Sequence, residues 1–342
     1  MNIYGLDFTS APSRKKPITC AVCELTQSVG AGVDVVRSED LCGRPRTPTL
    51  KLIACLKLSS FAEFEDFLRW DGPWLAALDF PFGQPRRLIS DLGWPETWEG
   101  YVGMIASMGK QSFEHALLDY CAGRPAGEKL ALRRTDVYAR ARSPMMLFRV
   151  PVAKMFFQGA TRLLASGVSV LPCRPTNDDR MVVEGYPALV ARRCIGSSSY
   201  KSDERARQTA DQAAARGRIL EGVHSSGRPQ GPAPLHTTTL APTFRLAPPC
   251  HDTGEFATFR LAPQFRASDE FCYGCKVELS EAQVESFVAD GTGDCLDALL
   301  CAVQAAWAYS RREDGYGIPR DCHSLEGWIV DPAMRDGVAL PR

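Results

Sequence analysis

The chain has 342 residues, enough for one large α/β domain or two smaller ones with a substantial core. Basic and acidic residues balance at 40 each, which excludes a strong overall field toward nucleic acid or a membrane surface. A nucleic-acid partner would therefore need a local basic patch. The thirteen cysteines are scattered and odd in number, which favours a reducing interior over a disulfide framework.

The sequence predicts neither a signal peptide nor a membrane span. The N-terminus is strand-like and carries no basic segment before an apolar stretch, so a signal peptide is not expected. The most apolar long run, 295–309, is too short to span a bilayer. We therefore expect a cytoplasmic protein without a membrane partner.

The first part of the chain predicts strands followed by a helix. Residues 3–8, 18–25 and 50–58 are apolar runs that predict three strands. Ser60 and Glu63 form a capping-box pattern that opens a helix. A fourth strand is predicted at 74–79. This order favours an α/β fold with a mixed sheet and helices packed on its faces.

The middle of the chain is mostly helical. Residues 94–166 predict a mainly helical insertion over the sheet edge, and its clearest helix begins at Pro151. Two short strands are predicted at 168–171 and 181–184. A helix restarts at Pro187, and a polar helix is predicted at 202–221.

Residues 224–267 differ from the rest in composition. They are rich in Pro, Thr, Ser and Gly, and the sequence TFRLAP occurs at both 243–248 and 258–263. Two copies do not make a repeat architecture, so we expect a flexible loop. A helix from Ser280 and a long apolar helix over 294–310 follow it.

Carboxylates stand at the ends of three predicted elements. Asp7 ends the first strand, Asp79 ends the fourth, and Asp294 and Asp297 begin the last helix at positions i and i+3. Two carboxylates about 4 Å apart repel by roughly 4 kcal/mol at an effective dielectric of about 20. A cluster of them requires protons or cations, and such clusters hold Mg²⁺ or Mn²⁺ in proteins. Two such ions can align a water and a leaving oxygen for phosphodiester hydrolysis.

Each acid also has a structural interpretation. Asp7 and Asp79 precede turn residues and could make Asx turns, and Asp294 could be the N-cap of its helix. Asp297 is harder to explain in this way. It lies among apolar residues, where a buried carboxylate requires a partner.

The sequence resembles the family of predicted ribonuclease H-like nucleases, a family built on a domain of unknown function. The stretches that carry the resemblance include Gly5-Leu6-Asp7-Phe8 and Leu78-Asp79-Phe80-Pro81-Phe82-Gly83, with further matches at 151–164, 184–188, 294–302 and 326–329. The resemblance implies a single ribonuclease H-like domain over 1–342, with a five-stranded mixed sheet and flanking helices. It also implies a carboxylate site at Asp7, Asp79 and Asp297. Holliday-junction resolvases of the same superfamily carry Glu on the fourth strand, where this chain has Asp79.

From these observations we expect a divalent-metal-dependent nuclease that acts on DNA or RNA. The expected catalytic residues are Asp7, Asp79 and Asp297, and the expected ligands of Mg²⁺ or Mn²⁺ are Asp7, Asp79, Asp294, Asp297 and Glu184. Glu184 ends a predicted strand, although its negative charge could instead interact favourably with the dipole of the next helix. Lys154, Arg134 and Lys15 are candidate substrate-binding residues, each of which could also be an ordinary surface cation.

Other functions remain open at this stage. A non-catalytic nucleic-acid-binding or adaptor protein with the same fold is the main alternative, and the neutral net charge favours it. An actin-like phosphotransferase would need a second subdomain with glycine-rich turns. Two CxxC patterns, Cys20 with Cys23 and Cys272 with Cys275, suggest structural zinc. The first pair lies on a predicted strand, where positions i and i+3 face opposite sides.

Overall fold

A computed structural model of the protein describes residues 1–26, 47–225 and 273–334. The predicted loop at 224–267, with its duplicated sequence, lies outside these residues except for 224 and 225, which end a helix.

Seven strands in the described residues form one mixed sheet. They are β1 (Asn2–Asp7), β2 (Ile18–Thr26), β3 (Thr49–Leu58), β4 (Trp74–Leu78), β5 (Ser169–Val170), β6 (Arg180–Glu184) and β7 (Lys276–Glu278). The order across the sheet is β5-β6-β4-β1-β2-β3-β7. β1, β2 and β3 form an antiparallel meander, and β4, β6 and β5 continue from β1 as parallel neighbours.

The α/β class and the mixed sheet are confirmed, but the five-strand count is not. The two shortest strands, β5 and β7, occupy the sheet edges and bring the count to seven. β7 has three residues, which is too short for an alternating pattern to be recognised in a sequence. It pairs in parallel with β3 after a long separation along the chain.

The helices flank this sheet. They are α1 (Phe61–Leu68), α2 (Arg86–Asp91), α3 (Trp98–Ala122), α4 (Arg134–Ala139), α5 (Val152–Ser166), α6 (Pro187–Ile195), α7 (Ala210–Ser225), α8 (Glu281–Ala289) and α9 (Asp294–Ser310). Ser60 caps α1 as its pattern predicts, accepting a hydrogen bond from the Glu63 amide. The predicted helix at 202–221 begins later, at Ala210, and the segment before it is largely irregular.

Two apolar clusters cover the two faces of the sheet. On one face, aromatic side chains from β1, α1, β4 and α5 pack together; examples are Tyr4, Phe67, Trp74 and Phe156. On the other face, α9 packs with residues of α6, α7 and α8. α9 is buried along most of its length, yet among the residues described no helix is long and apolar enough to cross a membrane.

α9 lies directly on β1, and Gly5 makes that approach possible. A Cβ atom at Gly5 would lie 2.0 Å from the Ala298 carbonyl oxygen and 2.1 Å from the Ala302 nitrogen, so no larger residue fits without moving the helix. Side chains two residues apart on a strand share a face, so Asp7 points to the same side as Gly5. The first turn of α9 is thereby held beside the end of β1.

Candidate functional site

Asp7 and Asp79 stand side by side at one edge of the sheet. β1 and β4 are parallel, with Leu6 opposite Leu78, and each strand is completed by an aspartate. The Asp79 amide donates a hydrogen bond to the Leu6 carbonyl at 3.0 Å, which extends the pairing to the acidic positions. Parallel pairing therefore brings together two carboxylates that are 72 positions apart in the sequence (79 minus 7).

Asp297 completes the cluster from the first turn of α9, where it is fully buried. Burial raises the pKa of Asp7 well above its usual range, and repulsion from Asp297 raises it further. Burial and Asp297 likewise raise the pKa of Asp79 to about 7. Because β1 and β4 end side by side and α9 packs closely on β1 at Gly5, Asp7, Asp79 and Asp297 all lie at this end of the sheet.

Asp294 lies at the margin of this cluster. Burial raises its pKa, and the nearby cations Lys16 and Lys201 oppose the rise. The N-cap of α9 is Gly293, in the left-handed conformation, so Asp294 is the first helical residue rather than the cap. The capping interactions come from Asp290, whose carboxylate accepts hydrogen bonds from the Thr292 and Cys295 amides at 3.1 and 3.4 Å.

The Asx-turn interpretation of the strand-end acids finds no support in the described residues, where no backbone amide donates to the carboxylate of Asp7 or Asp79. Both carboxylates are half-buried at the sheet edge. They are therefore available to a ligand.

Two residues that sequence reasoning did not identify bind Asp297 directly. The Lys201 ammonium forms an ion pair with Asp297 Oδ2, and the Tyr200 hydroxyl donates to Asp297 Oδ1 at 2.6 Å. Burial alone would lower the pKa of Lys201, but Asp297, Tyr200 and Asp7 together outweigh burial and raise that pKa well above its usual range. Both residues lie in an irregular segment without periodic pattern, so no sequence signal indicated their role.

The segment that carries Tyr200 and Lys201 is anchored through its backbone. The buried Arg216 side chain of α7 donates to the Tyr200 carbonyl at 2.6 Å and to the Val288 carbonyl at 2.6 and 3.0 Å. The Ser202 amide donates to the Gly291 carbonyl at 3.0 Å. These bonds hold the segment against the loop that precedes α9.

Glu184 lies near the cluster, but its carboxylate is already paired. The Arg133 guanidinium donates to both carboxylate oxygens, at 2.6 and 2.8 Å, and the Phe82 amide donates at 2.9 Å. Arg133 also binds Asp136, at 2.7 and 3.0 Å, and all three charged side chains are buried. A carboxylate held by three donors is poorly placed to bind a metal, so Glu184 is not part of the candidate site.

The predicted substrate-binding residues lie in different places. Lys154 pairs with Glu114 of α3 at 3.7 Å, and Arg134 pairs with Asp321 at 2.6 Å, so the contacts described for both are with elements outside the acid cluster. Lys15 is exposed in the turn that follows β1, next to Lys16. Of the three residues, Lys15 is the one that lies in the turn after Asp7.

A second group of cations approaches the site from α6. Burial raises the pKa of Tyr186, Arg192 and Arg142 oppose the rise, and Asp79 adds to it. The charges of Asp79 and of both arginines therefore act on Tyr186. The Arg192 guanidinium donates to the Tyr186 hydroxyl at 3.1 Å, and Arg142 is exposed. No sequence pattern linked these residues, because they come from two separate elements.

The donor chemistry of the cluster suits a hard divalent cation. Mg²⁺ and Mn²⁺ prefer carboxylate oxygens, and here burial, together with repulsion from Asp297, raises the pKa values of Asp7 and Asp79. Within the described ranges, no three His, Cys, Asp or Glu side chains are arranged as a ready-made metal site. The Lys201 ammonium on Asp297 already supplies positive charge to the cluster.

The first cysteine pair does not support the zinc interpretation. Cys20 and Cys23 pack in the two separate apolar clusters on opposite faces of the sheet, as expected for a strand. Cys272, the first member of the second pair, lies outside the described residues.

The raised pKa of Asp79 predicts a pH dependence of stability in the metal-free protein. The native state holds a proton on Asp79 up to about pH 7, whereas the unfolded chain releases it near the ordinary value of 3.8. Between these values the native state binds more protons, so this group's contribution to stability falls as pH rises from about 4 to 7. We expect Asp79→Asn to flatten the decline in unfolding temperature over this range, measured in EDTA.

Asp66→Asn is the matched control, because Asp66 is an exposed acid on α1. It should leave the pH dependence as it is in the wild type. An undiminished decline in Asp79→Asn would show that Asp79 does not titrate in this way.

No protein-family model, curated protein or solved structure matches this chain. The resemblance to the predicted ribonuclease H-like nucleases stays a prediction.

Proposed function

We propose that this chain is a divalent-metal-dependent nuclease that hydrolyses phosphodiester bonds of DNA or RNA. The observation that carries the proposal is the convergence of Asp7, Asp79 and Asp297, from two parallel strand ends and one helix, with raised pKa values at Asp7 and Asp79. A protein gains nothing in stability from placing three carboxylates together unless cations or protons compensate the repulsion. Such a cluster therefore favours a binding site for metal over a purely structural role.

The architecture supports the ribonuclease H-like part of the proposal. Strands of five or more residues form a continuous mixed sheet in the order β6-β4-β1-β2-β3. The resemblance implies a mixed sheet of this size, with carboxylates at the ends of its first and fourth strands. In the sheet observed, those two strands are adjacent and parallel.

In this proposal Asp7, Asp79 and Asp297 would hold Mg²⁺ or Mn²⁺, with Asp294 as a further ligand. When bound, the ion polarises the attacking water and stabilises negative charge on the leaving oxygen. The protein holds these carboxylates in fixed positions. Asp7 and Asp79 end sheet strands, and the Tyr200 hydroxyl orients the Asp297 carboxylate. Carboxylates held by rigid elements lose little freedom when a ligand binds.

Local positive charge supports a nucleic-acid substrate despite the neutral total. Lys15 and Lys16 lie in the turn after Asp7, Arg192 contacts the Tyr186 hydroxyl, and the charges of Arg142 and Asp79 both act on Tyr186. These groups flank the carboxylates and are suited to contact phosphates of a bound strand. Contacts of this kind position a backbone without reading its sequence, which is consistent with either DNA or RNA.

The proposal is tested by incubating the purified protein with single- and double-stranded DNA, single-stranded RNA and an RNA–DNA hybrid. We expect at least one of them to be cleaved when Mg²⁺ or Mn²⁺ is present, and none in EDTA. Crystals soaked in Mn²⁺ should show anomalous scattering beside Asp7, Asp79 and Asp297. Absence of cleavage together with absence of bound Mn²⁺ would contradict the proposal.

One observation favours a non-catalytic nucleic-acid-binding or adaptor protein instead. Lys201 supplies a cation to Asp297 from the chain itself, so the cluster has a partial counter-ion without metal. If Lys201 is the permanent counter-ion of the cluster and no metal binds there, Mn²⁺ should leave the unfolding temperature unchanged. A ligand that binds only the folded state must raise it.

A further inference from the structure

Lys201 is the cation that faces the acid cluster most directly. Its ammonium is paired with the fully buried Asp297, and its charge also opposes the rise in pKa of Asp7, Asp79 and Asp294. One ammonium therefore acts on all four carboxylates. This is the effect that a bound divalent ion would have at the same place.

The backbone of this segment is held, but the Lys201 side chain has room to move. Arg216 and Gly291 anchor the neighbouring backbone at Tyr200 and Ser202. The side chain itself is 41% exposed, and its four-carbon stem has several freely rotating bonds. The ammonium can therefore leave Asp297 by side-chain rotation alone, without disturbing the fold around the site.

A divalent ion and the ammonium cannot share Asp297 at low cost. Two cations drawn to the same buried carboxylate repel each other, and the doubly charged ion interacts more strongly with the surrounding acids. The ammonium would then be displaced, yet it would stay tethered within reach of the cluster. A phosphate bound by the ion is the nearest negative group that it could pair with, and lysine binds phosphate as a compact point charge.

We propose that Lys201 is an exchangeable counter-ion: its ammonium occupies Asp297 in the metal-free protein, yields to a divalent cation, and then binds a phosphate of the nucleic-acid substrate. This inference rests on the proposed function, because it requires a metal ion at the cluster. It adds a residue with two successive partners and makes metal binding and substrate binding interdependent.

The first step is tested by measuring Mn²⁺ affinity calorimetrically in the wild type and in Lys201→Met, which removes the charge but keeps an apolar stem. We expect Lys201→Met to bind Mn²⁺ about tenfold more tightly, because the ion no longer competes with a charge-assisted hydrogen bond. Lys201→Arg keeps the positive charge and should stay close to the wild type. Equal or weaker Mn²⁺ binding by Lys201→Met would overturn the proposal.

Lys51→Met is the matched control. Lys51 is an exposed lysine on β3, paired in register with Glu24 of β2 at the opposite end of the strands from Asp7. It should leave Mn²⁺ affinity unchanged. Circular dichroism of every variant checks that the fold is retained.

The second step is tested by the binding of a fluorescent oligonucleotide in Ca²⁺ and in EDTA, with the oligonucleotide confirmed intact on a gel. We expect Lys201→Met to weaken binding about fivefold in Ca²⁺ and to leave binding in EDTA unchanged, since the ammonium reaches phosphate only after the ion has displaced it. Equal binding of wild type and variant in Ca²⁺ would overturn this step.

The outcomes separate this inference from the function on which it rests. If neither the wild type nor Lys201→Met binds Mn²⁺, both the proposed function and the exchange are wrong. If both bind Mn²⁺ equally well and both cleave nucleic acid, the nuclease proposal stands and only the role of Lys201 is overturned.

Discussion

Replacing Asp297 with asparagine should reduce metal-dependent cleavage by at least about 100-fold, the upper range for loss of a residue that merely supports a metal ligand. The substitution removes the charge at the position where β1, β4 and α9 meet, while the amide oxygen still accepts the Tyr200 hydroxyl. It also removes the repulsion that Asp297 exerts on Asp7 and Asp79. Lys201 loses its partner, but its side chain is 41% exposed and can turn to solvent. We therefore expect loss of activity with little change in thermal stability, measured by initial cleavage rates in Mn²⁺ and by unfolding in EDTA.

Asp66→Asn serves as the control for Asp297→Asn, because it makes the same chemical change at an exposed position on α1. It should cleave at the wild-type rate. Asp7→Asn should behave like Asp297→Asn, since both carboxylates belong to one cluster. A cleavage rate in Asp297→Asn within a few-fold of the wild type would show that the acid cluster takes no part in the reaction.

Replacing Arg133 with methionine should lower the free energy of unfolding by about 3–5 kcal/mol, the usual cost of leaving a buried charge without its partner. Arg133 is the guanidinium shared by Glu184 and Asp136, and none of these side chains is open to solvent. Removing it leaves two carboxylates buried side by side. The measurement is urea-induced unfolding, with the midpoint and the slope both determined.

The adjacent Arg134 provides a matched control for Arg133. Arg134 pairs with Asp321 at the surface, so Arg134→Met should cost much less stability than Arg133→Met. Glu184→Gln should also lower stability but leave Mn²⁺ affinity unchanged, because Glu184 is paired with Arg133 rather than with the cluster. A marked fall in Mn²⁺ affinity in Glu184→Gln would show that Glu184 is a metal ligand after all.

The sequence by itself determined those features that depend on local order. The bounds predicted for the last helix, 294–310, are those of α9, because a long alanine- and leucine-rich run without proline or internal glycine favours a helix, and Gly293 precedes its first residue. The acids at 7 and 79 were identifiable because each directly follows a short apolar strand. Once β1 and β4 pair in parallel, the two strand ends meet without any further signal.

Only the tertiary structure decided which charged groups are paired. Glu184 resembled a metal ligand at the end of β6, but its partner Arg133 lies 51 positions earlier and on a different element. Lys201 and Asp297 are 96 positions apart, and the segment around Lys201 has no periodic pattern. Periodicity reports the face of an element on which a residue lies. It does not report which distant side chain will neutralise a charge, because that depends on how irregular segments pack around the sheet.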